Sequence, residues 1–320
     1  MTRRDRAGNA RGADRRPVNG ILLLDKPAGI SSSAAVQRVR RLFRAQKAGH
    51  TGTLDPMATG LLPVCLGEAT KFSHLLLGAD KTYVATVRLG ITTTTGDLEG
   101  AVTARHEVGV PGTAVEQALR AFTGEILQTP PMYSALKREG RPLYKLAREG
   151  AEVPREPRSI VIHKLELLEH RGDEFTMFVN CSKGTYVRTL AEDLGRALGC
   201  GACLSGLRRT GVGRLRLAEG SVTLERLEQM APAERDALLL PEDALVSSLP
   251  RLDLDRGAAL RLSHGQPVPT RTSHPAGLAR IYGPGGSFIG VAEILERGEI
   301  VPRRLLSKAG TAAAGRPSIA

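Results

Sequence analysis

One acid stands alone in the stretch GHTGTLDPMATGLLP, residues 49–63. Asp55 is its only carboxylate, set among His50, hydroxyl residues, glycines, prolines and apolar side chains. A lone carboxylate can serve as a nucleophile or as a base. Pro56 drives Asp55 out of helical backbone and brings no amide hydrogen of its own. Gly49, Gly52 and Gly60 permit backbone shapes or close approaches that a Cβ forbids. An isolated Asp-Pro is ordinarily a solvated turn. Here the apolar run of residues 61–66 follows at once and ties the loop into a core, which points to a placed carboxylate.

Other chemistries lack their residues. Hydrolysis of a glycosidic bond uses two flanking carboxylates, and this stretch holds one. No G-x-S-x-G elbow marks a nucleophilic serine. There is no P-loop, and Gly211 and Gly213 lack the third glycine of a dinucleotide fingerprint. Cys200 and Cys203 form a C-x-x-C with no second pair at zinc spacing. Neither a metal nor another cofactor is therefore expected. An Asp in an RNA-binding cleft benefits from a cation that keeps it ionised and limits its desolvation cost. Arg188, where a strand gives way to a helix, is the candidate.

Charge points to the partner. Lys and Arg number 45 against 33 Asp and Glu, a net charge of +12, and the pI is about 10.0. Such a balance favours a polyanion, with nucleic acid first. No apolar run approaches the roughly 20 residues of a membrane-spanning helix, and no signal-peptide pattern is present. A cytoplasmic protein with four free thiols (Cys65, Cys181, Cys200, Cys203) is expected.

The elements that must position these residues follow in order. Residues 1–19, rich in Arg and Gly, are expected to be a disordered basic tail. Residues 21–24 form a short buried strand. Ser31–Ser33 caps a helix running to about Gln46, with Val36, Val39, Leu42 and Phe43 inward and five cations mainly off that stripe. Residues 81–89 form a strand bearing Tyr83, and residues 91–100 a Thr- and Gly-rich connection. Val115, Leu119 and Phe122 mark another helix. Residues 159–168 and 174–181 pair as strands around Gly172-Asp173. A helix with Val187, Leu190, Ala191, Leu194 and Leu198 inward follows. Residues 204–213, LSGLRRTGVG, are expected as a basic turn. Between the first strands and that pair lies a stretch in which Lys137, Arg138, Arg141, Lys145 and Arg148 alternate with Tyr133 and Tyr144. Basic and aromatic residues so interleaved suit RNA, because bases stack and phosphates pair. Residues 249–307 are short-stranded and rich in Gly and Pro, and residues 308–320 read as a loose tail.

Taken together the motifs have a precedent. GHTGTLDPMATGLLPVCLGEATK (49–71) closely resembles the catalytic motif of bacterial tRNA pseudouridine-55 synthases of the TruB type. The resemblance extends to LLLDKPAGISS, KTYVATVRLG, QTPPMYSALKREGRPLYKLAREG, CSKGTYVRTLAEDLGRALG and LRRTGVG, in order, over residues 20–213. It implies isomerisation of a uridine in the T-loop of tRNA, without redox change or cofactor. Asp55 matches the catalytic Asp, acting at C1′ or C2′ of the ribose. Tyr83 matches the tyrosine that stacks on the target base, Arg188 the partner of the Asp, and His50 a residue set against the flipped-out bases. Tyr186, Leu207 and Lys26 fall at pocket positions. Residues 128–158 align with the mobile thumb that closes on the T-arm, and the loop glycines are expected to let the RNA backbone approach Asp55. Cys203 stands where the family has a His.

The implied fold is α+β: a catalytic domain over 20–248 with a mixed, largely antiparallel sheet flanked by helices, and a PUA-like β-barrel over 249–307 set to contact the acceptor stem. The implied partner is tRNA, met by a monomer with no obligate protein partner and no membrane. Two rivals stand beside this reading: an RNA chaperone that refolds tRNA without catalysis, and an RNA-guided synthase working in a protein complex.

Overall fold

The computed structural model describes residues 15–269 and 274–307; the expectations for 1–14 and 308–320 lie outside them. The first strand, β1 (Gly20–Lys26), reads GILLLDK, an unbroken apolar run with both faces covered. Leu22 and Leu24 enter one core cluster, while Ile21 and Leu23, pointing the other way, enter a second. Helix α1 (Ser32–Leu42) starts where expected, with Ser31 Oγ accepting from the Ala34 amide. It ends four residues short of Gln46. Arg44 takes a left-handed φ of 53°, and Arg40 turns back to donate to the carbonyls of Ala45 and Gln46. Those carbonyls leave the helix ladder, and the chain enters β2 (Ala48–His50).

Strand β3 (Thr59–Leu66) follows the Asp55 loop and repeats the double burial of β1. Strand β4 (Lys81–Leu89) buries Tyr83, Ala85, Val87 and Leu89 at alternate positions. Next come α2 (Gly112–Ala121), β5 (Gly124–Gln128), β6 (Arg158–Arg171) and β7 (Glu174–Cys181). Then follow α3 (Val187–Ala197), β8 (Ala202–Val212) and β9 (Val222–Thr223). Among the described residues these strands lie in one ten-stranded sheet in the order β9-β1-β3-β8-β4-β7-β6-β5, with β2 on β3 and the two-residue strand Leu215–Arg216 on β8. Only the β1–β9 and β3–β8 pairs along that order are parallel. The mixed, largely antiparallel sheet is therefore as expected. Helix α3 packs on β8 and α2 on β6.

Strand β8 corrects the sequence reading. Residues 204–212 are a central strand, antiparallel to β4 and parallel to β3, and only Gly213 is in a turn. Its two arginines hide it. Arg208 points outward to Asp25, 2.6 Å away, and Arg209 points inward. A register shift between Arg209 and Gly211 bulges the strand beside the loop it supports, as bulges near functional residues often do.

Order also begins ahead of Gly20, inside the stretch expected to be loose. Arg16 donates to both carboxylate oxygens of Asp236, at 2.6 and 2.5 Å, and Val18 is buried. The insertion between β5 and β6 holds a tight hairpin, Lys137–Arg138 against Arg141–Pro142. Its turn residues Glu139 and Gly140 both have positive φ, the geometry that matches strand twist. The short helix Leu143–Arg148 follows.

After residue 249 the chain forms β10 (Arg251–Asp253), α4 (Arg256–Ser263), β11 (Val268–Pro269), β12 (Gly277–Tyr282), β13 (Phe288–Leu295) and β14 (Glu299–Leu305). Their order is β10-β12-β13-β14-β11. Where a small β-barrel was expected, the described residues make a half-barrel with β10 and β11 at its edges. Its own core includes Leu252, Ile281, Ala292 and Ile300. Val291 instead joins the cluster that buries Ile21, Leu61 and Phe72.

Candidate active site

The Asp55 loop is fixed on every side. Ser32 Oγ both donates to the Leu54 carbonyl and accepts from the Leu54 amide at 2.8 Å. The Pro56 carbonyl accepts from the Gly29 amide at 2.9 Å and from Lys26 Nζ at 3.3 Å. Ahead of Asp55, the carbonyls of Gly52 and Thr53 accept from the Arg209 guanidinium at 3.0 and 3.3 Å. His50 Nδ1 accepts from the Gly52 amide. With its neighbours anchored, Asp55 keeps its side chain free of the backbone network.

That side chain meets Arg188. Arg188 Nη2 lies 3.0 Å from Asp55 Oδ2, and Nε lies 3.6 Å from Asp97 Oδ2. Its remaining donors reach the carbonyls of Thr95 and Tyr133, each at 2.8 Å. The Arg188 side chain is 7% exposed, Asp97 4% and Asp55 38%. A buried guanidinium thus sits between two carboxylates, its donors used and its desolvation offset, with one carboxylate opening outward. Asp97 is held in turn. Its Oδ1 accepts from the Glu99 amide and the Thr95 hydroxyl, an Asx-type turn.

Asp55 opens into a cleft of about 360 Å³, within the roughly 300–1,000 Å³ of small-molecule sites. Tyr83, Tyr186, Arg188 and Leu207 line it too. Among the described residues, Asp55 is the single carboxylate of that lining, so the second acid of a glycoside hydrolase is missing. Burial raises the Tyr83 phenol above its ordinary pKa, opposed by the charge of Arg209, and burial likewise raises Tyr186.

Lys26, expected at the pocket, and His50, expected against the flipped-out bases, are both outside the cleft lining. Lys26 is fully buried beneath the loop, donating to the carbonyls of Pro27, Ile30 and Pro56. Burial lowers its pKa to about 8, with Asp55 pulling the other way. His50 lies on β2 behind the loop, and burial lowers its pKa. Lys137, Arg138, Arg141, Lys145 and Arg148 are exposed on the insertion and do not line the cleft. Arg141 is engaged by Glu149 at 2.7 Å, and the Arg148 guanidinium lies over the Tyr144 ring. The insertion reaches the site through the Tyr133 carbonyl on Arg188. Cys203, where a His was expected, is a buried thiol whose pKa burial pushes up to about 11; it packs in the sheet interior.

One of the loop glycines, Gly60, is reassigned. A Cβ on Gly60 would lie 2.3 Å from the Arg209 carbonyl oxygen, at a φ of +97°. Gly60 admits the backbone of β8, not of RNA. Sequence reasoning missed Asp97 and the inward turn of Arg209. The signals were slight: one Gly-Asp in a Thr-rich connection, and one of two adjacent arginines.

The comparisons with known proteins agree with this geometry. Residues 40–187 match the family model described as TruB family pseudouridylate synthase (N terminal domain). Residues 188–247 match tRNA pseudouridylate synthase B C-terminal domain, and residues 250–306 match Pseudouridine synthase II TruB, C-terminal. The tRNA pseudouridine synthase B of Methylobacillus flagellatus is 54% identical over 296 residues, covering 92% of this chain and 98% of the relative. That of Aromatoleum aromaticum is 57% identical over 298 residues, covering 93% and 96%. Among solved structures, an H/ACA RNP bound to a substrate RNA containing 2′-deoxyuridine superposes with a TM-score of 0.69 at 26% identity, covering 91% of this chain and 86% of that one. A Cbf5-Nop10-Gar1 complex gives 0.69 at 27%, covering 90% and 84%. The class so defined is that of the pseudouridine synthases, enzymes that isomerise uridine within RNA. Within that class, the chain belongs to the TruB family.

Proposed function

We propose that the chain isomerises uridine 55 in the T-loop of tRNA to pseudouridine, with Asp55 as the catalytic carboxylate. The observation that carries this reading is the single carboxylate of the cleft, held by buried Arg188 in a chain of the TruB family. The N1–C1′ bond breaks, the uracil turns, and C5 joins C1′; the proton on C5 leaves and N1 gains one. No atom is lost and no electron transferred. Asp55 acts at the ribose, at C1′ or C2′, Arg188 pairs with it, and Tyr83 stacks on the base. Tyr186 and Leu207 complete the pocket, while Lys26 and His50 support the loop from behind.

A stacked base hides the bond, so the uridine must be extruded, at a few kcal/mol offset by stacking and phosphate contacts. The insertion over 128–158 closes on the T-arm with Lys137, Arg138, Arg141, Lys145 and Arg148 toward phosphates. Residues 20–248 form the catalytic unit, and residues 249–307 a PUA-like RNA-binding unit that meets the acceptor stem. The enzyme works in the cytoplasm as a monomer, with neither cofactor nor partner protein. The exposed cations of the insertion favour this over a guided synthase, whose RNA contacts are shared with partner chains.

The test uses tRNA labelled with tritium at uridine C5. Wild type releases tritium from naked tRNA. Asp55→Asn loses about 10³-fold or more of that rate while still binding tRNA. Release at the wild-type rate by Asp55→Asn would overturn the assignment. Loss of tRNA binding in that variant would favour the chaperone reading.

A further inference from the structure

Arg209 is the largest fully buried side chain of the described residues, 1% exposed. Its Nε donates to the Leu61 carbonyl at 2.8 Å, Nη2 to Gly52 at 3.0 Å and Nη1 to Thr53 at 3.3 Å. These acceptors are neutral, and the titratable groups that feel its charge are the Tyr83 phenol, Lys26, His50 and Lys81, none of them a carboxylate. A buried cation without a counter-ion is costly. An apolar side chain here would leave the Leu61 carbonyl unpaired in the core and take this donor from the partly exposed Gly52 and Thr53 carbonyls.

The three acceptors bracket Asp55, two before it and one on β3 beyond it. The loop's opposite side is held independently by Ser32, Gly29 and Lys26. Arg209 is itself fixed: its backbone lies against Gly60 on one side, and it pairs in register with Tyr83 on the other. One buried fork therefore joins the loop of the carboxylate to the strand of the aromatic ring.

We propose that Arg209 is a positioning residue for the isomerisation, its guanidinium fixing the backbone of the Asp55 loop relative to Tyr83. The proposal rests on the reading of Asp55 as the catalytic carboxylate. A planar fork reaches three carbonyls at set angles, whereas the lysine ammonium is a point charge on a flexible stem. Lysine therefore keeps the charge and loses the geometry. Misplacement by about 1 Å costs on the order of a hundredfold in rate.

The experiment compares wild type, Arg209→Lys, Arg209→Gln and Asp55→Asn by single-turnover tritium release at saturating tRNA. Rates are taken per folded site, counted by stoichiometric tRNA binding, well below each variant's Tm. Both Arg209 variants are expected to slow about a hundredfold with tRNA Kd within about threefold of wild type. General destabilisation alone lowers the folded fraction and leaves the rate per folded site unchanged, so a rate within threefold of wild type overturns the proposal. A Kd that rises while the saturated rate holds also overturns it, making Arg209 an RNA ligand. Should Arg209→Gln not fold, Arg209→Lys carries the comparison. Wild-type turnover by Asp55→Asn would instead overturn the reading of the site itself.

Discussion

Arg188 gives one guanidinium to two carboxylates and two carbonyls, and that sharing sets what its loss does. Arg188→Met strands Asp97 in the interior and leaves Asp55 without its cation. Tritium release is expected to fall about 10³-fold, with tRNA affinity changed by a few-fold at most. Filter binding checks this; a collapse of affinity would make Arg188 a phosphate ligand. Lys26 gives a pH signature. Its pKa falls from 10.5 to about 8 in the fold, so between those values the unfolded chain binds the extra proton. This group therefore makes stability rise with pH across that window. Urea midpoints at pH 7.5 and 10 should show a more positive slope in wild type than in Lys26→Met; equal slopes would remove Lys26 as the cause. Asp55, Tyr83 and Arg188 were legible because each sits in a motif with a distinctive neighbour. Asp97 was not, because its partner is 91 positions away and the hydroxyls around it look like any turn.

At the scale of elements, β3 and β8 decide the site. Strand β3 was legible from its apolar run. Strand β8 was illegible because its inward position 209 is a cation, and hydropathy reads a cation as surface. What buries Arg209 is two backbone acceptors from a distant loop and one from β3, which no local pattern records. Gly60 is the counterpart of this packing. Gly60→Ala places a methyl against the β8 backbone at positive φ, and a loss of about 2–4 kcal/mol is expected. Urea unfolding measures it, and an unchanged midpoint would mean that β8 can slide. The end of α1 was misjudged for a related reason: Arg40 satisfies the carbonyls beyond the helix, and its side chain looked like one more solvated charge.

Across the whole molecule, the half-barrel and the large sheet share a core. Phe288 meets Phe72 at 5.4 Å and Tyr282 at 5.5 Å between ring centroids. Beside them Glu68 accepts from Lys71 and from the Ser307 amide, at 2.7 and 2.6 Å. Phe288→Ala is expected to cost about 2–4 kcal/mol, read by calorimetry as a lower or split transition. An unchanged single transition would show that the shared core contributes nothing to cohesion. The short strands of the second sheet were legible in the Gly- and Pro-rich residues 249–307. The shared core was not, because Phe72 and Phe288 lie in separate apolar stretches with nothing local to link them.

The parallel pairing of β3 with β8 also imposes an order on the making of the enzyme. Leu61 and Arg209 are 148 positions apart, and a ribosome adding about 5–20 residues per second needs about 7–30 s to cover that interval. For that time the Asp55 loop has Ser32, Gly29 and Lys26 on one side but lacks its Arg209 anchor on the other, and β3 waits without β8 beside it. A nascent chain therefore carries an uncovered apolar strand and no pocket, a client for whatever shields hydrophobic segments at the exit tunnel. A chain that stops before β8 has the Asp55 loop without Arg209 beneath it or Leu207 in the cleft.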